Sequence, residues 1–267
     1  MRKWLKITFW FIFITGMITL MTMIRVDQLA RPAGDPEIVI HKDGEDVFLT
    51  DDELLGVLME DGLVYSGQTF EKLELEKIED RIESISQVRS VEVYSNVGNN
   101  WKIDVYMREP IARIFNLFGE SFYLDKEGEI VETTEKHTAR VPVVTGEIRD
   151  RIDEESVDEI INNDSLISIR KLDDIYRISN YVCYDPLFRS LIGQIYLEKN
   201  GDFILVPLIG DQKIVFGSAY SEKEVEEKFE KLRIFYEEGM PNVGWNAYSE
   251  ISVKYEGQIV CKKPTVD

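Results

Sequence analysis

Histidine and cysteine are the scarcest of the side chains that commonly carry catalytic or metal chemistry in this sequence. Its 267 residues include two of each, namely His41, His137, Cys183 and Cys261. A catalytic triad needs a histidine beside a nucleophile, and zinc sites usually combine several histidines or cysteines. Glycine-rich phosphate-binding motifs and C-x-x-C motifs are also missing. The sequence therefore predicts a protein that is not an enzyme and holds no metal or cofactor.

The two cysteines leave two alternatives open. In an oxidising compartment Cys183 and Cys261 could form a disulfide bond. Lone cysteines in apolar segments are more often buried and reduced, which favours the second alternative.

Basic side chains are too few to balance the acidic ones. Lysine and arginine number 31 against 50 aspartates and glutamates, and the net charge is −19. Without the three basic residues that precede the first apolar segment, 28 basic residues face 50 acidic ones, a net charge of −22. Such a surface repels nucleic acids and anionic lipid headgroups. We expect protein partners, with no nucleic acid and no small-molecule substrate.

Charge is absent altogether from one segment, Ile7–Ile24, which also lacks proline and amide side chains. As a helix, its 18 residues span about 27 Å, close to the hydrocarbon thickness of a bilayer. Arg2, Lys3 and Lys6 precede it, and an excess of basic residues marks the cytoplasmic side. The pattern predicts residues 1–24 as a short cytoplasmic tail and a single transmembrane helix in the inner membrane. The bulk of the chain is then extracytoplasmic, or periplasmic.

A cleaved secretory signal is the alternative interpretation of this segment. Signal cores usually run about 7–15 residues and end at an A-x-A-like site. Ala30 and Ala33 match such a site poorly, and the apolar core is long. A retained anchor that contacts membrane lipid is favoured.

Four threonines of the apolar segment fall on one helical stripe: Thr8, Thr15, Thr19 and Thr22. Small polar residues allow membrane helices to approach and to form hydrogen bonds, which predicts a helix–helix contact. Alternatively, each hydroxyl binds a carbonyl of its own helix and faces lipid.

Residues 25–36, with two prolines and a glycine, are predicted as a linker. Residues 37–109 then predict the order strand, helix, helix, strand, strand. A capping-box pattern, Thr50 to Glu53, opens the first helix, and apolar residues at helical spacing predict a second over roughly Glu71–Ser86. Alternating segments around Val91–Ser95 and Trp101–Met107 predict two strands. Two helices on one side of a small mixed sheet would bury both sets of apolar residues.

Residues 110–267 predict a mixed, mainly antiparallel β domain with helices, so that the fold class is α+β. The predicted strands are Ser121–Leu124, Glu129–Glu132, Arg140–Thr145, Gly193–Glu198, Asp202–Val206, Lys213–Phe216 and Ser249–Cys261. The predicted helices are Asp150–Asn163, Ser165–Tyr184 and one opened by a capping box at Ser221 and ended by Gly239 and Pro241.

Several segments resemble one family of bacterial cell-division proteins. The segment Val105–Arg113 contains Arg-Glu-Pro and resembles the "V..REP.A" junction of the FtsQ/DivIB family. Phe122–Gly128 is similar to that family's "YLVD..G" hairpin, and Ile251–Tyr255 to its "I.LRY" strand. The order of elements in residues 37–109 resembles a POTRA domain. The resemblance implies a membrane scaffold of the divisome with a POTRA-like domain and a C-terminal β domain.

The C-terminal strand is the predicted partner-binding surface. A terminal strand tends to lie at a sheet edge, where free backbone groups can accept another strand. In the FtsQ/DivIB family this edge receives a strand from the coiled-coil partner FtsB, in a complex that includes FtsL. The residues predicted to bind the partner are Ile251, Ser252, Val253, Lys254, Tyr255, Gln258 and Ile259. Of these, Lys254 and Tyr255 match the basic–tyrosine pair that the resemblance implies.

Two alternatives to this assignment stay open. Lys254, Lys262 and Lys263 could simply protect the edge against aggregation. Tyr255 shares the alternation of Ile251 and Val253 and could point into the core.

The main functional alternative is a membrane-anchored extracytoplasmic sensor or hydrolase with an unrecognised site, which would need a cleft with convergent polar groups. A POTRA-bearing chaperone or translocation component is a third interpretation, but several such domains or a β-barrel pattern would then be expected.

Overall fold

The computed structural model of the chain describes residues 2–42, 48–96, 100–134, 136–152, 156–167 and 169–264. The described residues divide into two units. The first runs to residue 107, apart from Phe48, and the second comprises Phe48 and the residues from 108 onward.

The first element is the apolar helix α1, Arg2–Leu29. Its segment Ile7–Val26 has a mean hydropathy of 2.0, and none of it is buried inside the protein. Among the described residues it is the one helix long and apolar enough to cross a membrane. The helix extends five residues beyond the predicted end at residue 24, so the first part of the predicted linker is helical. It stops shortly before Pro32, because the residue before a proline is disfavoured in helical conformation.

In the small domain, the described residues form three strands and two α-helices in the predicted order. They are β1 (Glu37–His41), α2 (Asp51–Glu60), α3 (Leu75–Glu83), β2 (Val88–Asn96) and β3 (Asn100–Met107). The sheet order is β1-β3-β2, with β1 parallel and β2 antiparallel to β3. Residues 43–47 and 97–99 lie outside the described residues.

Local signals placed the first helix correctly and the second only in part. The Thr50 hydroxyl accepts a hydrogen bond from the Glu53 amide at 3.3 Å, and the Glu53 carboxylate accepts one from the Thr50 amide at 3.1 Å. The predicted helix Glu71–Ser86 is instead a 3₁₀ turn, Phe70–Lys72, followed by α3. The buried Gln68 side chain donates to the Lys72 carbonyl at 3.0 Å, at the point where the 3₁₀ turn ends.

One face of this sheet packs against the two helices, as expected. Leu54, Ile78 and Ile82 are fully buried with Ile103 and Val105 of the central strand. Alternate residues of a strand point to opposite faces, so the apolar residues of β3 form one side of the small core.

The second domain is built on one nine-stranded sheet. Its strands are β4 (Pro110–Phe115), β5 (Ser121–Asp125), β6 (Ile130–Glu132), β7 (Val143–Gly146), β8 (Ile192–Leu197), β9 (Phe203–Pro207), β10 (Lys213–Gly217), β11 (Glu250–Ser252) and β12 (Val260–Lys262). Across the sheet they lie in the order β12-β11-β10-β9-β8-β7-β4-β5-β6. Five of the described neighbouring pairs are antiparallel and three are parallel, which matches the predicted mixed, mainly antiparallel class.

Helices contribute the other half of the large core. They are α4 (Val157–Ile161), α5 (Asp164–Ile167), α6 (Leu172–Tyr184), α7 (Pro186–Leu191), α8 (Glu222–Ile234) and α9 (Met240–Val243). Phe229 of α8 lies at its centre, with ring centroids 4.4 Å from Tyr181, 4.7 Å from Phe188 and 4.9 Å from Phe216. The structure has shorter helices than predicted here: α4 where Asp150–Asn163 was expected, and α5 and α6 where Ser165–Tyr184 was expected. Residues 153–155 and 168 are not among the described residues.

The prediction that Gly239 and Pro241 end the last helical segment is wrong. A π-helical turn, Phe235–Gly239, follows α8 directly and leads into α9. Proline is tolerated in the first turn of a helix, since the missing N–H has no partner there in any case. The helix ends instead at Gly244, whose φ of 89° a residue with a side chain would adopt only with strain.

Candidate functional site

The C-terminal edge of the nine-stranded sheet consists of two short strands, not of one. The predicted strand Ser249–Cys261 is wrong in this respect: β11 and β12 are separated by a turn that contains Gly257, with a φ of 67°. The left-handed glycine lets the chain reverse, and β12 returns antiparallel to β11. The local signal for this turn, Glu256-Gly257, was present in the sequence.

Because of this reversal, β11 lies inside the sheet. Its partner on one side is β10, to which it is parallel, and on the other side β12. Ile251 and Val253 are fully buried, and Ser252 is 5% exposed. The predicted edge strand, Ser249–Cys261, included these residues, whereas in the structure the edge strand is β12 alone. Binding of a partner by Ile251, Ser252 and Val253 remains a prediction.

No strand of the described chain pairs with the outer side of β12. Its central residue, Cys261, packs partly buried against the core, whereas Val260 is 41% exposed. Sequence reasoning missed Val260 and Lys262 as site residues, because the turn at Gly257 was not recognised. The backbone of β12 can therefore accept hydrogen bonds from, and donate them to, an added strand.

Along the chain, Tyr255 follows β11 and precedes β12. It is 50% exposed, so the alternative that it points into the core does not hold. Gln258 is exposed as well, and Ile259 is partly buried against the core. Tyr255 therefore offers an apolar ring and a hydroxyl at the surface beside the edge.

Two lysines hold the segment that carries Tyr255. Lys231 of α8 donates hydrogen bonds from Nζ to the carbonyl of Val253 at 2.9 Å and to that of Tyr255 at 2.7 Å. Burial lowers the pKa of Lys231, and the neighbouring Lys228 adds to this effect. Lys254 forms an ion pair with Asp202 at 2.5 Å, and the hydrogen bond to Asp202 raises the pKa of Lys254.

A row of charged side chains crosses the last three strands. Glu250 of β11 lies between Lys213 of β10 and Lys262 of β12, with N–O distances of 3.5 Å and 2.7 Å. The hydrogen bond from Lys262 lowers the pKa of Glu250 and outweighs its partial burial. This row depends on strand register, which the sequence alone does not reveal.

The four threonines of α1 bind carbonyls of their own helix. Thr8, Thr15, Thr19 and Thr22 donate to the carbonyls four residues earlier at 2.7, 2.8, 2.8 and 3.0 Å. This agrees with the alternative that each hydroxyl binds a carbonyl of its own helix. Contact with a second membrane helix stays a prediction.

Both cysteines are free thiols in the structure. Cys183 donates to the Ile111 carbonyl at 3.1 Å, and burial raises the pKa of the Cys183 thiol to about 11.

Within the described ranges, no group of three or more His, Cys, Asp or Glu side chains could hold a metal ion.

Comparison with known proteins agrees with this architecture. The family model described as FtsQ/DivIB, C-terminal related, matches residues 109–262, more than half of the chain. A POTRA-like domain model matches residues 33–106. No curated protein sequence matched the chain. The chain belongs to the FtsQ/DivIB family of cell-division proteins.

Proposed function

We propose that this chain is a non-enzymatic, single-pass membrane scaffold of the bacterial divisome that binds its partners through its extracytoplasmic domains. The observation that carries the proposal is that no strand among the described residues pairs with the outer side of β12 in an FtsQ/DivIB-related domain. A strand from a coiled-coil partner similar to FtsB, in a complex with an FtsL-like protein, would extend the nine-stranded sheet at this edge. Septum formation would then depend on the assembled complex.

The length and composition of β12 support a selective edge. The strand has three residues, and it carries Lys262 on its exposed face. Short edge strands with lysine resist pairing with arbitrary chains. A partner must therefore contribute side-chain contacts in addition to backbone hydrogen bonds, which gives specificity.

The charges around the apolar helix support an extracytoplasmic position for this edge. Arg2, Lys3 and Lys6 precede the apolar span, so the N-terminus is cytoplasmic and both folded domains are extracytoplasmic. The net charge of −22 outside the membrane disfavours nucleic acid as a ligand and leaves proteins as the expected partners.

Two matched substitutions test the edge. Val260 on β12 and Val206 on β9 lie on the same face of the sheet and are 41% and 37% exposed. We expect Val260→Asp to weaken binding of the soluble extracytoplasmic segment of the FtsB-like partner by about tenfold or more, that is by at least about 1.4 kcal/mol. Val206→Asp introduces the same charge away from the edge and should leave the affinity unchanged.

Tyr255→Ala should weaken the same binding, because a tyrosine that becomes buried by a partner often contributes much of the binding energy. Affinity is measured by calorimetry on the full chain in detergent, with circular dichroism to verify the fold. Equal affinities for wild type, Val260→Asp and Tyr255→Ala, all folded, would refute binding at this edge.

The role in division is tested in cells. Depletion of the chain should produce filaments without septa, and a fluorescent fusion should locate at midcell. Normal division after depletion would contradict the proposed role in septum formation.

A further inference from the structure

The charged row at the C-terminal edge alternates in sign and ends on a lysine. From β10 to β12 it reads Lys213, Glu250, Lys262, and each glutamate–lysine pair is within ion-pair distance. The Lys262 side chain is 67% exposed. Beyond it, on the outer side of β12, no further strand of the described chain is present. The alternation therefore stops at a cation whose outer side is open.

A second row on the same face, two residues away, is apolar or small. Val215 of β10 lies opposite Ser252 of β11, and Ser252 lies opposite Val260 of β12. Between the two rows, Cys261 points to the other face, opposite Ile251, where it packs against the core. The edge thus presents three positions in succession: apolar, core-facing and positive.

From these two rows we infer that the strand accepted by β12 carries an acidic side chain opposite Lys262 and an apolar side chain opposite Val260, two residues apart. The inference rests on the proposed function and specifies its partner. Side chains directly opposite each other on neighbouring strands attract when their charges differ and repel when they are alike. An acidic residue would hold Lys262 between two carboxylates, just as Glu250 lies between two ammonium groups.

This requirement runs against the overall electrostatics of the chain. With a net charge of −19, the protein attracts basic partners at long range. An acidic strand is selected here by the local pairing at Lys262, and a lysine or arginine at the same position is rejected. The residue between the two specified positions faces Cys261 and is accordingly small or apolar.

A double-mutant cycle tests the charged pair. The probe is the soluble extracytoplasmic segment of the FtsB-like partner, in which each aspartate or glutamate is replaced singly by asparagine or glutamine. Binding to the full chain in detergent is measured for wild type and for Lys262→Gln. We expect one acidic position at which neutralisation weakens binding to wild type by about two- to fivefold and has no effect on binding to Lys262→Gln.

Charge reversal provides the second arm. Lys262→Glu should weaken binding of the unmodified segment further, and a lysine at the coupled partner position should restore it. Lys199 is 88% exposed on the connection between β8 and β9. Lys199→Gln and Lys199→Glu are the matched controls and should leave affinity unchanged. Because Lys262→Glu also faces Glu250, the neutral Lys262→Gln cycle decides the result if the reversed variant loses its fold.

The outcomes separate this inference from the proposed function. In one outcome, Val260→Asp abolishes binding, but neutralising each acidic residue of the partner weakens binding to wild type and to Lys262→Gln by the same factor. In that case β12 is the docking edge, and the inferred acidic residue opposite Lys262 is refuted. If Val260→Asp and Tyr255→Ala both fold and both leave the affinity unchanged, binding at this edge is refuted, and the inference fails with it.

Discussion

Lys231 is the side chain through which helix α8 holds the segment next to the sheet edge, and its removal is the most informative perturbation of the site. Its ammonium donates to two carbonyls, those of Val253 and Tyr255, at 2.9 Å and 2.7 Å. These carbonyls follow β11 and precede the turn into β12. We therefore expect Lys231→Met, which keeps the aliphatic stem, to loosen β12 without unfolding the domain.

The magnitude follows from the two hydrogen bonds. A hydrogen bond from a charged donor contributes about 1.5–3 kcal/mol net when buried, and less where water can replace the donor. Tyr255 is half-exposed, so we expect a total loss of about 1–3 kcal/mol in the local stability of the β11–β12 segment. This corresponds to amide hydrogen exchange that is faster by between about fivefold and about 150-fold in residues 250–262.

Hydrogen exchange followed by mass spectrometry measures this effect by segment. Lys223→Met is the matched control, since Lys223 lies on the same helix with its side chain 85% exposed and 3.7 Å from Glu227. Surface pairs of this kind contribute little, and exchange in residues 250–262 should not change. Partner affinity should change little for Lys231→Met as long as the open form of the segment stays a minor population, because the apparent Kd depends on the binding-competent fraction. Unchanged exchange in Lys231→Met would refute the conclusion that α8 holds this edge.

Three further predictions concern the two domains separately. Burial by itself raises the pKa of Asp104, but hydrogen bonds from Tyr94, Lys102 and His41 outweigh it and lower the pKa to about 2. Because this pKa lies below the unfolded value, the contribution of Asp104 to stability is present above about pH 4 and is lost as the pH falls towards 2. Asp104→Asn should remove this part of the acid dependence in denaturation curves, and an identical pH profile would contradict the assignment. A Cβ atom at Gly146 would lie 2.2 Å from the backbone oxygen of Leu197, and the glycine has a φ of 113°. Gly146→Ala should therefore lower the free energy of unfolding by more than about 3 kcal/mol in chemical denaturation. Gly201, with φ 87° and open space around it, is the control, and Gly201→Ala should lower it by about 1–2 kcal/mol. Equal losses for the two variants would disprove the clash at Gly146. Phe229→Ala should lower the stability of the large domain by about 3–5 kcal/mol, because the ring is fully buried. A loss below about 1 kcal/mol in the same assay would contradict its central position in the core.

Local signals account for much of the fold. The capping box at Thr50 and the hydroxyl cap at Ser221 start helices in the structure, as predicted. Asn200-Gly201 joins β8 and β9, and Gly201 has the positive φ that such turns require. These features depend on residues a few positions apart, so the sequence pattern is sufficient to place them.

Other elements depended on contacts and positions that residue propensity does not rank. A continuous helix over Glu71–Ser86 has acceptable periodicity, but the Gln68 amide donates to the Lys72 carbonyl at the point where the 3₁₀ turn ends. Likewise, Pro241 permits a helix because it lies in the first turn of α9. Propensity alone does not decide between such alternatives.

The candidate site, too, was predicted only in part from the sequence. The sequence indicated a C-terminal edge and named Tyr255 and Lys254, but it predicted one strand, Ser249–Cys261, where the structure has β11 and β12. The parallel pairing of β10 with β11 joins residues about 37 positions apart, Lys213 with Glu250, and no local pattern encodes that register.

By itself, the sequence determined a membrane-length apolar helix, an acidic exterior, the order of elements in the small domain and membership of a family, because composition, spacing and short motifs carry that information. Only the tertiary structure decided that β11 is interior, that β12 forms the edge and that Lys213, Glu250 and Lys262 lie in one row. The physical reason is that strand neighbours are chosen by the burial of a whole sheet face against the helices. That choice joins residues which are distant in the chain.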